Sequence, residues 1–253
     1  MMPVVGAPET LEEISPAEDL AAAALSLARR FAAGATMWCV APQWPAHARH
    51  VAVEFVHPVI VGKRALPAVH VEAVDVAGAL RLLGRPGDVL LAVSDADDPL
   101  VTELLRRSEA WGLNRLWLGA GPRPRPGLAE HVVWLDGADP ALAARSGDMV
   151  LLYHLLWELT HVVFEHPGLL EDEPVCTDDV CITCSDEGRV AEVRTVRDQT
   201  SAEVVVSGLT ETVDVSLVEP VEAGDLVLVH AGVVLSTLHH GEHGQQAAFE
   251  GFR

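Results

Sequence analysis

Three cysteines lie close together in the second half of this 253-residue chain: Cys176, Cys181 and Cys184. Such a cluster in a chain of this length indicates metal binding or thiol chemistry rather than a disulfide scaffold. The spacing C-x4-C-x2-C could hold zinc with a histidine as the fourth ligand, or an iron–sulfur cluster. A thiolate is also a strong, soft donor for low-spin iron.

A second candidate is His230, which lies in the valine-rich segment DLVLVHAGVVL. Alternation along a strand places His230 on one face with Leu226 and Leu228, and Val227 and Val229 on the other. The imidazole could be a metal ligand or a hydrogen-bond partner of one. It could equally be a histidine packed in the core, and the residues alone leave both interpretations open.

The elements that must position these residues differ between the two halves of the chain. Up to residue 168, helix-like segments alternate with short apolar runs, which predicts a parallel sheet covered on both faces, an α/β fold. From residue 169 onward, short valine-rich segments with period two predict a small antiparallel β-barrel or meander. The predicted domains are therefore 1–168 and 169–253, with EHPGLLEDEPVCTDD as the linker.

Element boundaries follow from periodicity and capping residues. Helices are predicted from 11 to 33, from 45 to about 56, over DVAGALRLLG, over DPLVTELLRRSEAWG with Asp98 as its N-cap, and over GDMVLLYHLLWELTHVVFEH. Strands are predicted for ATMWCVAP, DVLLAVS, RLWLGA and HVVWLDG, and in the second half for RVAEVRTV, SAEVVVSG, ETVDVSLV and DLVLVHAGVVLSTL.

The charge balance excludes several kinds of partner. The chain carries 37 acidic and 17 basic residues, a formal net charge of −20, so neither nucleic acid nor an anionic membrane surface is an expected partner. The first twenty residues lack a basic region followed by an apolar one, and the apolar stretch 149–164 is too short to span a bilayer. We therefore expect a cytoplasmic protein.

The second half resembles the HypC/HupF family of hydrogenase assembly chaperones over about residues 175–238, in VCITCSDEGRVAEV, VVVSGLTETVDVSLV and EAGDLVLVHAG. The resemblance implies a small, OB-like β-barrel. It matches Cys181 to the family's functional cysteine and His230 to its functional histidine. These proteins carry the iron, cyanide and carbon monoxide unit between a HypD-type scaffold and the large-subunit precursor of nickel–iron hydrogenases. The resemblance thus implies a transient iron unit as cofactor and those two proteins as partners.

The chain departs from that family at its cysteine segment. The family's cysteine usually follows the initiator methionine, whereas Cys181 is internal. CITCSDEG also replaces a C-x-x-x-P-G-type opening and adds Cys184. Cys176 and Cys184 could therefore supply additional metal ligands, for instance to zinc.

The first half is similar to the sugar isomerase (SIS) domain, in particular its phosphoheptose isomerase branch, over roughly residues 15–165. The similarity lies in TMWCVAPQWPAHARHVAVEFV, GDVLLAVSDADDPLVTELLRRSEAWGLNRLWLGA and HLLWELTH. It matches His50 and Glu54, one helical turn apart, to the H-x-x-x-E pair that supplies a metal ligand and a catalytic acid/base in that branch. Ser94 is the hydroxyl retained from the second phosphate-binding loop.

The phosphate-binding loops depart from the isomerase pattern. A-P-Q-W-P replaces the glycine- and serine-rich first loop, and its two prolines remove amide donors. S-D-A-D-D replaces S-T-S-G-N-S, and its aspartates repel phosphate. A glutamine and a histidine of the closing helix appear here as Ser146 and Met149. We therefore interpret His50, Glu54 and Ser94 as a vestigial site and expect no enzymatic activity.

The leading hypothesis is a hydrogenase maturation chaperone that handles an iron unit through Cys181 and His230. Its SIS-like domain would form a homodimer or present a surface to another maturation protein. Two alternatives stay open. The first is an SIS-family phosphosugar isomerase or binding protein, and the second is a zinc or redox protein that uses Cys176, Cys181 and Cys184.

Overall fold

The computed structural model describes residues 16–170 and 188–238. The helices of the first part are α1 (Pro16–Ala32), α2 (Pro45–Val56), α3 (Val76–Leu83), α4 (Pro99–Ala110), the short α5 (Pro140–Ala143) and α6 (Gly147–Glu165), followed by a 3₁₀ turn at Pro167–Leu169. Its strands are β1 (Met37–Val40), β2 (Ala68–His70), β3 (Val89–Ser94), β4 (Asn114–Gly121) and β5 (His131–Asp136). The second part contains β6 (Arg189–Val196), β7 (Ser201–Val206), β8 (Leu209–Asp214), β9 (Leu226–His230) and β10 (Val233–Thr237).

The first domain is built on a parallel sheet with the strand order β2-β1-β3-β4-β5. Every residue of β3 is buried, because α1, α2 and α6 cover one face of the sheet while α3 and α4 cover the other. This arrangement confirms the α/β prediction and explains the continuous apolar runs of the strands. The three-residue strand β2 was not predicted, since so short a segment shows no periodicity.

The residues at several helix ends are of the types that favour helix capping. Oδ1 of Asp98 accepts hydrogen bonds from the backbone N–H groups of Leu100 and Val101, as predicted for an N-cap of α4. Asp75 caps α3 in the same way. Gly34, with φ of +91°, follows α1 in the left-handed region that favours glycine.

The second domain is a closed five-stranded barrel with the strand order β10-β8-β7-β6-β9. Its strand pairs are antiparallel, as predicted, except for β8 and β10, which pair in parallel and close the barrel. Its interior is filled by valine and alanine side chains, most of them from inward-facing positions of the strands. DLVLVHAGVVLSTL, predicted as one strand, is instead the hairpin of β9 and β10. Ala231 (φ +49°) and Gly232 (φ +80°) form its two-residue turn, and two consecutive positive φ values are typical of tight hairpins.

The two domains pack against each other through a buried carboxylate. Glu192 of β6 is 2% exposed and accepts a hydrogen bond from the indole N–H of Trp111, at the end of α4. Nη1 of Arg81 lies 3.1 Å from Oε1 of Glu192. Arg107 of α4 donates to the carbonyl oxygen of Gly224 at 2.8 Å. The barrel therefore rests on the α3 and α4 layer of the first domain.

The predicted boundary after residue 168 falls within the 3₁₀ turn that follows α6. Within residues 16–170 and 188–238, no helix combines the length and apolar character that crossing a membrane requires.

Candidate functional site

A cluster of three potential metal ligands lies between α2 and α6: His50, Glu54 and His154. His50 and Glu54 share one face of α2, where Nε2 of His50 lies 3.1 Å from Oε1 of Glu54. Nε2 of His154, from α6, lies 3.4 Å from Nε2 of His50 and 3.6 Å from Oε1 of Glu54. All three side chains are partly exposed, so solvent or a ligand can reach them.

The spacing of the donor atoms fits a metal ion. Metal–ligand bonds of about 2.0–2.2 Å at tetrahedral angles separate neighbouring donor atoms by about 3.3–3.6 Å. The separations of 3.1, 3.4 and 3.6 Å therefore resemble one face of a coordination tetrahedron. Two imidazoles and one carboxylate suit zinc with a fourth, open position, and the same set is typical of non-haem ferrous iron. His50, Glu54 and His154 would hold the ion.

Tyr153 contacts the other ring nitrogen of His50, and His47 in turn contacts Tyr153. The hydroxyl oxygen of the buried Tyr153 lies 2.8 Å from Nδ1 of His50 and 3.5 Å from Nδ1 of His47. Nε2 of His47 lies 2.9 Å from the carbonyl oxygen of Ala144. Burial, reinforced by the charge of Glu54, raises the pKa of the Tyr153 hydroxyl to about 12, so this group stays protonated at neutral pH.

His154 is a candidate ligand that the sequence pattern does not identify. The similarity to the isomerase branch places the remaining ligands at Ser146 and Met149, one to two turns earlier in the closing helix. Ser146 instead caps α6, and Met149 is fully buried. The available signal is the single histidine in the otherwise apolar run YHLLW of the closing helix. Three potential donors are therefore present, where the sequence interpretation counts two.

Ser94 does not join this cluster. Its hydroxyl is fully buried, donates to the carbonyl oxygen of Asp95 at 2.8 Å and accepts from the indole N–H of Trp117 at 2.9 Å. The neighbouring amides are also used internally, since Asp98 caps α4 and Oδ1 of Asp95 accepts from the N–H of Asp97. These backbone N–H groups of the second loop and of the start of α4 are therefore bonded within the chain and are not free to bind phosphate.

A cleft of about 400 Å³ opens beside the carboxyl ends of β1 and β2. Its walls are mostly apolar, and its charged lining residues are the acids Glu72, Asp75 and Glu103. Among the described residues that line it, none is lysine or arginine. Arg49 and Arg107 pair with Glu72 and Glu103 from outside this lining, so a phosphorylated sugar would find no basic side chain among the described lining residues.

His230 ends β9 on the outer side of the barrel. Val227 and Val229 are fully buried in the barrel interior, whereas Leu228 and His230 point to the opposite face and are half-buried. The predicted alternation of faces is therefore present in β9. His230 is not part of the valine core that fills the barrel.

The cysteine cluster lies outside the described residues, so the structure places none of Cys176, Cys181 and Cys184. The isolated Cys39 lies within β1 and is fully buried. Burial raises the pKa of its thiol, so this cysteine is a packing residue rather than a nucleophile.

A comparison with protein-family models shows which family the barrel resembles. Residues 188–249 match the HupF/HypC family. The match includes the whole barrel and His230, and it begins after Cys181. The HupF/HypC-like domain supports a role of the hydrogenase-maturation type.

The first domain has the SIS fold. A phosphoheptose isomerase from Francisella tularensis superposes with a TM-score of 0.51 at 15% identity, covering 59% of this chain and 91% of that chain. A second phosphoheptose isomerase, from Neisseria gonorrhoeae, gives a TM-score of 0.49 at 16% identity, with 58% and 88% covered. At this identity the similarity shows the fold alone. A search of curated proteins finds no significant match.

Proposed function

We propose that this protein is a hydrogenase maturation chaperone whose HupF/HypC-like barrel handles the iron, cyanide and carbon monoxide unit of a nickel–iron hydrogenase. The observation that carries the proposal is the family match over residues 188–249, which includes the strand of His230. Cys181 would supply the thiolate donor and His230 a second ligand or hydrogen-bond partner. The partners would be a HypD-type scaffold and the large-subunit precursor.

The position of His230 is compatible with transfer between proteins. The imidazole is half-buried at the end of β9 and faces outward, so a docked partner could cover it and exclude water. A transient unit must be released as well as bound, and a site completed by the partner meets both requirements.

The test compares hydrogenase maturation in strains that carry Cys181→Ala, His230→Gln or a control variant, His166→Gln. His166 is an exposed histidine of the first domain. We expect Cys181→Ala to abolish maturation, His230→Gln to reduce it severalfold, and His166→Gln to leave it unchanged. Infrared spectroscopy of the anaerobically purified complex should show cyanide and carbon monoxide bands only when Cys181 is present. Full maturation with Cys181→Ala would refute the proposal.

The first domain would then pair two copies of the chain or dock another maturation protein. Leu151 and Leu155 of α6 support this role, because they are exposed by 58% and 43% and lie one helical turn apart. The test is the molar mass in solution of the wild type and of Leu151→Asp/Leu155→Asp. We expect a dimer that the double variant converts to a monomer, whereas a monomeric wild type would exclude self-pairing.

A second candidate function is favoured by the His50, Glu54 and His154 cluster: a metal-dependent isomerase or sugar-binding activity of the first domain. A divalent ion there would act as a Lewis acid on a sugar oxygen. Glu54, beside it, could move a proton. Two features argue against a phosphorylated substrate: backbone amides of the second loop already bond to Asp95 and Asp98, and the described cleft lining contains no lysine or arginine. The test is isomer interconversion of phosphorylated and unphosphorylated sugars by zinc-loaded protein, with Glu54→Gln as the inactive control.

Metal analysis distinguishes the remaining alternative, a zinc or redox protein that uses Cys176, Cys181 and Cys184, from metal binding by the first domain. Zinc lost from a triple serine variant of these cysteines, but kept in His154→Gln, would place the metal at the cysteines. The reverse result would place it in the first domain.

A further inference from the structure

We infer that Tyr153 and His47 form a hydrogen-bond relay that sets the tautomer of His50 for metal binding. Tyr153 is then a positioning residue that acts through His50 and does not itself bind metal. The inference rests on metal binding by the cluster, the second candidate function, and is independent of the hydrogenase role. It follows from the direction in which each hydrogen bond of the relay can run.

The far end of the relay is fixed by a backbone carbonyl. Nε2 of His47 lies 2.9 Å from the carbonyl oxygen of Ala144, and a carbonyl can only accept. His47 must therefore carry its proton on Nε2, and its Nδ1 is an acceptor when the ring is neutral. Since His47 is 7% exposed and held in this contact, its tautomer does not change with events at the cluster.

The hydroxyl of Tyr153 lies between two Nδ1 atoms, 2.8 Å from that of His50 and 3.5 Å from that of His47. It has one proton, so it can donate to only one ring at a time and must accept from the other or leave it unbonded. The relay therefore has two arrangements, which differ in the tautomer of His50.

In the first arrangement Tyr153 donates to Nδ1 of His50. The neutral ring then carries its proton on Nε2 and donates to Oε1 of Glu54, at 3.1 Å. This arrangement satisfies His50 without a metal, but it directs a proton to the position that a metal ion would occupy.

In the second arrangement the hydroxyl of Tyr153 turns to donate to Nδ1 of His47 and accepts from the Nδ1–H of His50. Nε2 of His50 now presents a lone pair toward Glu54 and His154. With Nε2 of His154 also unprotonated, as metal binding requires, three acceptor atoms 3.1 to 3.6 Å apart repel one another unless a cation lies between them. Between the two arrangements, the ring of His50 loses a proton at Nε2 and gains one at Nδ1 by exchange with water, so its charge is unchanged.

The relay thus supplies the acceptor that the metal-binding tautomer of His50 requires. Replacing Tyr153 by phenylalanine keeps the ring and removes that acceptor, so the Nδ1–H of His50 loses its partner. Outer hydrogen-bond partners of metal-binding histidines typically contribute about 10- to 100-fold to metal affinity. We expect Tyr153→Phe to weaken Zn²⁺ binding by that factor.

The experiment uses the full chain with Cys176, Cys181 and Cys184 replaced by serine, so that the cysteines do not compete for Zn²⁺. Affinity is measured against a chelator for this protein, for Tyr153→Phe and for Thr160→Val. Thr160→Val is the matched control, because it removes another fully buried hydroxyl of α6, one bonded to the carbonyl oxygen of Leu156. Tyr153→Phe should bind about 10- to 100-fold more weakly, whereas Thr160→Val should bind within twofold of the parent.

Nitrogen-15 NMR of the histidine rings gives a readout that needs no variant at position 153. On addition of Zn²⁺ the proton of His50 should move from Nε2 to Nδ1, while His47 keeps its Nε2 proton in both states. Parent-like affinity of Tyr153→Phe, an Nε2 proton on His50 with Zn²⁺ bound, or no Zn²⁺ binding by the parent would each overturn the inference. None of these results bears on hydrogenase maturation, which is tested separately.

Discussion

Replacing Glu192 should loosen the junction between the barrel and the first domain. The carboxylate is 2% exposed and accepts from the indole N–H of Trp111, and such a hydrogen bond contributes about 1.5–3 kcal/mol. Its ion pair with Arg81 adds only about 1 kcal/mol, because the Arg81 side chain is 45% exposed. Glu192→Ala should therefore lower the free energy of unfolding by about 3 kcal/mol. Glu192→Gln keeps an acceptor for Trp111 and should cost about 1 kcal/mol.

The measurement is the Tm of the wild type and of each variant, obtained from thermal unfolding followed by circular dichroism. For a chain of this size, about 3 kcal/mol corresponds to a fall in Tm of roughly 6–12 °C. The matched control is Glu203→Ala, which removes a barrel glutamate paired with Arg197, a residue exposed to solvent. Its Tm should change by less than about 2 °C. If Glu192→Ala melts within a degree of wild type, or no lower than Glu203→Ala, the buried carboxylate does not hold the domains together.

Three further outcomes follow from the geometry. Gly119→Ala should lower the free energy of unfolding by about 3 kcal/mol, measured by chemical denaturation, because the added Cβ would lie 2.2 Å from a backbone oxygen of β3 and from the ring of a neighbouring tryptophan. Gly147→Ala is the control and should leave the stability unchanged, because the added Cβ would lie in open space. Burial lowers the pKa of His70 and His131 below 6.5, so the unfolded chain binds more protons than the folded chain at acidic pH. Tm should therefore fall as the pH drops below about 6.5, and it should fall less steeply in the variant in which both histidines are replaced by glutamine. Cys39 should resist alkylation until the protein unfolds, as mass spectrometry of a variant without the other cysteines can show.

Most of the fold could be predicted from the sequence because local and tertiary preferences agree. The strand β3 is apolar throughout and is buried throughout, and Asp98 precedes Pro99 at the start of α4 and caps it. The failures have physical reasons. The three-residue β2 is too short to show a period, and the turn at Ala231 and Gly232 lacks the Asn-Gly or Asp-Gly pair that indicates a tight hairpin.

The site was less predictable, because its residues come from distant parts of the chain. His50 and Glu54 could be paired from their spacing, since one helix determines it. His154 lies 104 positions from His50, and only the packing of α6 against α2 brings the two rings together. The support from Tyr153 and His47 depends on ring orientations and on the carbonyl oxygen of Ala144, which carry no pattern in the sequence.

The candidate metal cluster and the two altered loops lie in different parts of the first domain. The loops can therefore differ from the isomerase pattern while the three potential ligands stay together. The ligands lie on α2 and α6, which are fixed by the core of one face of the sheet. The altered loops lie at the ends of β1 and β3, and in the loop after β3 the side chains of Asp95 and Asp98 accept hydrogen bonds from backbone N–H groups. The barrel packs on the opposite face, against α3 and α4. A ligand at the cluster therefore need not displace the barrel. Any coupling between the cluster and the barrel would have to pass through the sheet, whose close packing transmits small displacements.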